Sequence, residues 1–273
     1  MKSILIIGGG WLGKPLAHYL QTIGHKVAVS HTTEVGVSKT NTPQLNAIQL
    51  DLQSDLSHII KTIESTEAKI VIGCFPPGFR SGSGDGYAIN WDKLTQACKA
   101  ASIEKVIMVS STSVYPNIAK PMVEDDASLS KAIGSMDFDH KAVVMLQAEQ
   151  HVIDSGISYG IVRCSGLVGP NRHPSRFISK MKQVSSTAPA NMLHLTDAIG
   201  AISFVTALQH STIVNATTPN TVNKAEFYQA ALDSAQSEET LPPLVTDNDK
   251  QILAVHLQEL GYKFHYCHTL ELV

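Results

Sequence analysis

The sequence has 273 residues, of which 43% are hydrophobic and 16% are charged, and its formal net charge at pH 7 is -3. This composition fits a globular chain with a substantial core, and the lack of excess positive charge argues against a nucleic-acid partner. No apolar run reaches the roughly 18 to 20 residues that cross a bilayer, so we expect no membrane partner.

Apolar periodicity predicts strands and helices in alternation along the chain. The short apolar run Lys2–Ile7 predicts a first strand, and Trp11–Ile23 carries apolar residues at helical spacing up to Gly24. The same patterns predict further strands at Val27–Val29, Ala47–Leu50, Lys69–Ile72, Lys105–Val109 and Ser158–Arg163, and further helices at Leu56–Ile63, Ile89–Ala101 and Lys141–Ile153.

This alternation predicts the fold class. Each predicted strand is apolar throughout, which is typical of a parallel sheet covered by helices on both faces. We therefore expect an α/β fold with a doubly wound parallel sheet. After Gly166 the alternation becomes irregular, which predicts that residues 166–273 form a smaller C-terminal part, with some segments returning to the main sheet.

Cysteine and histidine spacing predicts no metal site. The four cysteines are scattered without close pairs, which is typical of reduced residues in a cytoplasmic protein. The amino-terminal residues also lack the features of a secretory signal. The densest cluster of ligand-type side chains, at residues 265–268, has no second cluster at zinc-finger spacing. We expect a cytoplasmic location and no metal.

The first predicted strand and helix are joined by a glycine-rich loop. Gly8, Gly10 and Gly13 form the pattern G-x-G-x-x-G, with Trp11 and Leu12 between the last two. In this context the first glycine permits a tight turn, the second admits a pyrophosphate, and the third allows close packing of helix and strand. The loop predicts a dinucleotide-binding Rossmann domain over residues 1–165.

The end of the second predicted strand bears on the choice of dinucleotide. An acid there would bind the ribose 2′-hydroxyl of NAD. The chain instead has Ser30, His31, Thr32 and Thr33, and its first carboxylate is Glu34. The missing acid removes repulsion against a 2′-phosphate, although no Arg is present to clamp one. These residues favour NADP, with NAD as the alternative.

Several motifs resemble those of one enzyme family. "GHKVAVS" at the second strand, Asp51 after the third, Asn90 in the next helix and "VIMVSSTSVYP" at residues 106–116 are similar to landmarks of the extended short-chain dehydrogenase/reductase family. That family includes NAD-dependent sugar-nucleotide epimerases and dehydratases. The resemblance implies that Asp51 belongs to the cofactor site. "GWLGKPLA", "GLVGPNRHPSRF" and "LHLTDAIGAI" further resemble an atypical, YeeZ-like subgroup.

The resemblance implies a catalytic role for Ser111. This residue lies four positions before Tyr115, where the family places a Ser or Thr whose hydroxyl bonds the reacting substrate oxygen. From the residues alone, this segment would be a polar strand end. The family then places Tyr-x-x-x-Lys on the following helix, with the Tyr moving a proton and the Lys lowering its pKa.

The dyad is incomplete in this chain. If Glu149 is aligned with the family's helix Glu, then Lys141 replaces the Tyr and Met145 replaces the Lys. If Lys141 is instead the family Lys, Asp137 replaces the Tyr. A Lys with a depressed pKa could act as acid or base, so Lys141 is a candidate catalytic residue; a solvated helix residue is the alternative.

Three arginines follow predicted strand ends and are candidate substrate ligands. Arg172 and Arg176 come after the sixth strand, and Arg80 lies in the loop Pro76–Gly86 after the fourth. A guanidinium group can grip a phosphate or carboxylate through two hydrogen bonds. A surface loop with solvated charges is the alternative.

Two hypotheses of function follow. The first is an NAD(P)-dependent epimerase/dehydratase or oxidoreductase acting on a small anionic or nucleotide-linked molecule. The second is a non-catalytic NAD(P)-binding sensor or regulatory protein, favoured by the incomplete dyad. A hydrolase is disfavoured because the one G-x-S-x-G match, at residues 156–160, lies at the start of a predicted strand, whereas a nucleophile elbow lies at a turn from a strand to a helix. The oligomeric state stays open.

Overall fold

The computed structural model describes residues 1–79, 82, 84 and 86–273. The chain divides into two compact units, and each unit is assembled from separate segments of the sequence. The first unit comprises Met1–Ser110, His140–Val162 and Ile202–Ile213; the second comprises Ser111–Asp139, Arg163–Ala201 and Val214–Val273.

Seven strands form the main sheet. With strands numbered along the chain, the spatial order in this sheet is 11-7-5-4-1-2-3. The strands of this sheet are β1 (Ser3–Ile7), β2 (Lys26–His31), β3 (Asn46–Gln49), β4 (Ile70–Gly73), β5 (Lys105–Ser111), β7 (Ser158–Cys164) and β11 (Thr212–Ala216).

The register of the sheet confirms the predicted doubly wound parallel architecture. β1 pairs in parallel with β2 on one side and with β4 on the other, so that Leu5 lies opposite both Ala28 and Val71. The chain first proceeds outwards from β1 through β2 and β3, and then continues from the other side of β1 through β4 and β5. Such a reversal of strand order creates the crevice in which doubly wound folds bind ligands.

The predicted helices are present, with ends shifted by a few residues. Several further helices were not predicted; the helix at Glu34–Thr40, for example, buries only Thr40 and therefore shows no apolar stripe. The helices are α1 (Gly13–Thr22), α2 (Glu34–Thr40), α3 (Leu56–Ser65), α4 (Gly86–Ala100), α5 (Leu129–Ala132), α6 (His140–Asp154), α7 (Ser175–Ile178), α8 (Leu195–Ala207), α9 (Lys224–Ser234) and α10 (Val255–Glu259).

In the first unit, a buried lysine at the start of β5 caps the end of α8. Lys105 is 6% exposed, and its Nζ donates hydrogen bonds to the carbonyls of Val205 at 2.8 Å and Leu208 at 2.6 Å. The last carbonyls of a helix lack partners within it, and a cation there also complements the helix dipole. Burial lowers the pKa of Lys105.

The second unit contains three small parallel pairings. These are β6 (Pro121–Met122) with β13 (Gln251–Ile252), β8 (Gly166–Val168) with β10 (Met192–His194), and β9 (Val184–Ser185) with β12 (Leu244–Val245). Val168, Val184, Phe227 and Leu232 lie in a buried apolar cluster of this unit. None of the described helices in either unit is long and apolar enough to cross a membrane.

Candidate functional site

The glycine-rich loop joins β1 to α1 at the switch in strand order. Gly8 has a φ of +103°, and a Cβ built there would lie 3.0 Å from the amide nitrogen of Phe75. A Cβ at Gly13 would lie 2.1 Å from the carbonyl oxygen of Gly8. Both positions therefore require glycine because the protein's own backbone occupies the space.

Gly10 differs from the other two motif glycines. A Cβ built at Gly10 meets no described atom within 4 Å. No described residue therefore requires glycine at this position, and the open space lies where the motif admits a pyrophosphate. This is the observation that a phosphate-binding loop would produce.

Ser30, near the end of β2, accepts two hydrogen bonds from the glycine-rich loop. Ser30 is 1% exposed; its Oγ accepts a hydrogen bond from the amide of Gly8 at 3.3 Å, and its carbonyl accepts one from Gly9 at 2.8 Å. Ser30 thus stabilises the loop conformation. Direct contact between Ser30 and a cofactor stays a prediction.

His31 packs between two glycines that the motif does not require. A Cβ at Gly9 would lie 2.5 Å from its Nε2, and a Cβ at Gly36 would lie 2.9 Å from its Nδ1. Nε2 is buried and has no hydrogen-bond partner among the described residues. Burial, followed by the positive charge of Lys14, lowers the pKa of the imidazole.

The two threonines after His31 are exposed. The Oγ1 of Thr33 accepts a hydrogen bond from the amide of Gly36 at 3.2 Å and caps the first turn of α2, a use of Thr that helix starts favour. The carbonyl of Thr32 accepts a hydrogen bond from Nε2 of Gln49 at 3.1 Å. The Thr33 hydroxyl thus acts as a helix cap, and its contact with a cofactor stays a prediction.

Asp51 lies in a turn after β3, next to the end of β2. The amide of Leu50 donates to the carbonyl of His31 at 2.9 Å, which brings the two strand ends side by side. Oδ1 of Asp51 accepts from the amide of Gln53 at 2.9 Å, and Nε2 of Gln53 donates to Oδ1 of Asn90 on α4 at 2.7 Å. Sequence reasoning did not identify Gln53 as the link that holds this turn to α4.

An aromatic cluster lies beside the end of β4. The rings of Phe75 and Trp91 are stacked with their centroids 4.9 Å apart, and the ring of Tyr87 meets that of Phe75 edge-on at 5.5 Å. This packing fixes the backbone at Phe75, against which Gly8 lies. The candidate ligand Arg80, from the loop that follows, lies outside the described residues.

In the first unit, α6 places Glu149 against the end of β5. Glu149 is 1% exposed, and the hydroxyl of Ser110 donates a hydrogen bond to its Oε1 at 2.6 Å. Met145 is one turn earlier in α6 and is 1% exposed, whereas Lys141 is two turns earlier and exposed. A register based on Glu149 therefore puts a buried thioether where the family has a lysine. Asp137 precedes α6, which begins at His140.

Ser111 and Tyr115 belong to the second unit. The Oγ of the partly exposed Ser111 accepts a hydrogen bond from the amide of Ser113 at 3.2 Å and caps the short 3-10 turn Thr112–Val114. The hydroxyl of Tyr115 donates to Oδ1 of Asn215 at 2.6 Å. Burial raises the pKa of Tyr115 to about 12, so this phenol does not supply protons readily at neutral pH.

A buried arginine that the sequence did not single out organises this part of the second unit. Arg163 is 1% exposed. Its Nη1 donates to the hydroxyl of Tyr115 at 3.1 Å and to the carbonyl of Glu124 at 2.8 Å, and its Nη2 donates to the carbonyl of Ala127 at 2.9 Å. The guanidinium carbon also lies 5.3 Å from the centroid of the Tyr115 ring. Arg163 is a structural residue.

Both arginines lie in the second unit, Arg172 on the loop after β8 and Arg176 in the short helix α7 that follows it. Gly169 and Arg172 form an isolated antiparallel bridge, and Nη1 of Arg176 donates to the carbonyl of Asn171 at 2.7 Å. The side chain of Arg176 is thus held near its own loop. Within the described residues, no group of three or more His, Cys, Asp or Glu could hold a metal ion.

Comparisons with known proteins agree with this geometry. Residues 4–198 match the model of the NAD dependent epimerase/dehydratase family. Protein YeeZ of Escherichia coli strain K12 is 32% identical over 209 residues, which cover 75% of this chain and 73% of YeeZ.

Solved structures are similar in fold. The Bordetella bronchiseptica enzyme WbmG, in complex with NAD and UDP, has a TM-score of 0.78 at 16% identity, covering 99% of this chain and 93% of WbmG. The UDP-glucose 4-epimerase of Thermus thermophilus, in complex with NAD, has a TM-score of 0.77 at 15% identity, covering 98% of this chain and 96% of the epimerase.

Proposed function

Because the chain belongs to the NAD-dependent epimerase/dehydratase family, we propose that it binds a nicotinamide dinucleotide at the loop Gly8–Gly13. The main support is the open space at Gly10. At Gly8 and Gly13, by contrast, neighbouring backbone atoms leave no room for a side chain. NAD is bound in the solved structures of similar fold, which supports the same class of ligand here. Bound there, the nicotinamide would accept or donate a hydride.

The reaction we propose is an epimerase/dehydratase or oxidoreductase reaction on a small anionic or nucleotide-linked substrate. Ser111 would hold the reacting oxygen of the substrate, and Lys141 would move the proton. Arg172 and Arg176, with Arg80, would bind the anionic group in a substrate lobe formed mainly by residues 166–273. The four free cysteines support a cytoplasmic location.

The residues of α6 also favour a second candidate, a non-catalytic dinucleotide-binding sensor. Met145 carries no charge and is buried, so it can neither lower the pKa of a neighbouring acid nor bind a ribose hydroxyl. Substrate turnover separates the two candidates, because a sensor would bind the dinucleotide without consuming substrate.

We expect turnover of common nucleotide-sugars to be very slow or absent. Loss of a positioned proton donor reduces a rate by roughly 10²- to 10⁴-fold. The test is a screen of UDP-glucose and UDP-glucuronic acid with NAD and NADP, monitored by product chromatography. The Thermus thermophilus epimerase serves as the positive control. Brisk turnover by this chain would contradict the expectation that the incomplete dyad limits it.

We further propose that the protein prefers NADP to NAD, and we expect His31→Asp to reverse that preference. A carboxylate at the end of β2 would accept a bond from the ribose 2′-hydroxyl but repel a 2′-phosphate. Calorimetry should show NADP affinity falling by roughly tenfold or more, equivalent to at least about 1.4 kcal/mol.

His31→Asn is the matched control for this variant, because it has the shape of aspartate without the charge. It should weaken NADP binding less than His31→Asp does. If the unmodified protein binds NAD at least as tightly as NADP, the preference inferred from this strand end is wrong.

A further inference from the structure

A positively charged residue lies beside the imidazole at the end of β2. Lys14 is the second residue of α1, and its amide donates to the carbonyl of Gly10 at 3.1 Å, so it follows directly on the phosphate-type loop. The loop that Lys14 follows also contacts the end of β2, since the amide of Gly9 donates to the carbonyl of Ser30, and burial, followed by the charge of Lys14, lowers the pKa of His31. Sequence reasoning looked for an arginine after β2 and did not consider a cation from α1.

Packing holds the imidazole in place beside the loop. The space that side chains at Gly9 and Gly36 would fill is occupied by the His31 ring, from its Nε2 end to its Cβ end. Gly36 belongs to α2 and Gly9 to the loop, so both elements approach the ring. The ring therefore has little freedom to turn away from the loop.

The positive charge of Lys14 is not neutralised within the described part of the chain. Lys14 is partly buried and makes no ion pair with another described residue. A partly buried cation beside an imidazole favours an anionic ligand, because the ligand supplies the missing countercharge.

We propose that Lys14 is the residue that determines specificity for a 2′-phosphorylated dinucleotide, its ammonium group binding the phosphate on the adenosine ribose beside His31. The proposal rests on the proposed function, since it concerns the same dinucleotide site. In doubly wound folds the adenosine ribose lies at the end of the second strand, which here ends at His31.

The test is the affinity of Lys14→Gln for NADP and NAD, measured by calorimetry. A hydrogen bond to a charged group contributes about 1.5–3 kcal/mol, so NADP affinity should fall by roughly 10- to 100-fold. NAD affinity should stay unchanged, because NAD lacks the phosphate. Lys14→Arg keeps the charge and should retain NADP binding.

Two further measurements localise the effect. Adenosine 2′,5′-bisphosphate should lose affinity for Lys14→Gln, whereas adenosine 5′-monophosphate should not. The control Lys61→Gln removes an exposed lysine from α3 and should change neither dinucleotide affinity.

The outcomes separate this proposal from the one on which it rests. Unchanged NADP affinity in Lys14→Gln, or equal weakening of NADP and NAD, would overturn the role of Lys14 while leaving dinucleotide binding intact. If the unmodified protein binds neither dinucleotide, the proposed function itself fails.

Discussion

Replacing Gly10 with valine should abolish dinucleotide binding while the protein stays folded. A Cβ at Gly10 meets no described atom within 4 Å, so the fold itself accommodates a side chain there. The pyrophosphate that we propose at this loop would occupy the same space. An overlap of this kind costs about 1–3 kcal/mol or more, so we expect affinity to fall by roughly 5- to 150-fold or beyond the range of measurement.

Calorimetric titration with NAD and NADP measures the affinity, and circular dichroism with thermal unfolding shows whether the variant is folded. Gly13→Ala is the contrasting variant, because its Cβ would lie 2.1 Å from the carbonyl oxygen of Gly8 and should disturb the loop itself. A folded Gly10→Val protein that binds with unchanged affinity would remove the case for this loop as the cofactor site.

Replacing Arg163 with methionine should destabilise the second unit strongly. The guanidinium donates to the carbonyls of Glu124 and Ala127 and to the hydroxyl of Tyr115. Methionine fills much of the volume but leaves both carbonyls without this donor. Each buried polar group that loses its hydrogen-bond partner costs about 1–3 kcal/mol of unfolding free energy.

Denaturant unfolding of Arg163→Met against the unmodified protein measures the loss. Arg176→Met is the matched control, since it makes the same chemical change at an exposed position. Its effect should lie within about 1 kcal/mol. A loss for Arg163→Met no larger than that of the control would show that the buried guanidinium contributes little to stability.

The elements that the sequence predicted are those with strong periodicity. The buried strands around β1 and β4 are continuous apolar runs, and α3 shows a clear apolar face, so both kinds of element are visible locally. α2 escaped prediction because most of its residues are exposed. Strand order and the two-residue strands of the second unit depend on contacts between distant segments, which a local pattern does not contain.

In the candidate site, too, motif residues could be predicted from the sequence and contacts between distant residues could not. The roles of Gly8 and Gly13 follow from a motif whose geometry is known, and the structure accounts for both. The packing of His31 against Gly36 and the hydrogen bonds of Arg163 could not be predicted. Arg163 meets Tyr115 across 48 positions of sequence, and no spacing rule marks such a pair.

The packing of His31 against Gly9 and Gly36 also constrains how descendants of this chain can diverge. A Cβ at position 36 would lie 2.9 Å from Cβ and Cγ of His31, so a larger residue there is best accommodated after the histidine has been exchanged for something smaller. While a methyl group is present at position 36, a histidine at position 31 would be disfavoured, because the methyl group would press on the base of the ring. Residues 31 and 36 are thus expected to change in a dependent order, with the histidine exchanged before the glycine and restored only after it.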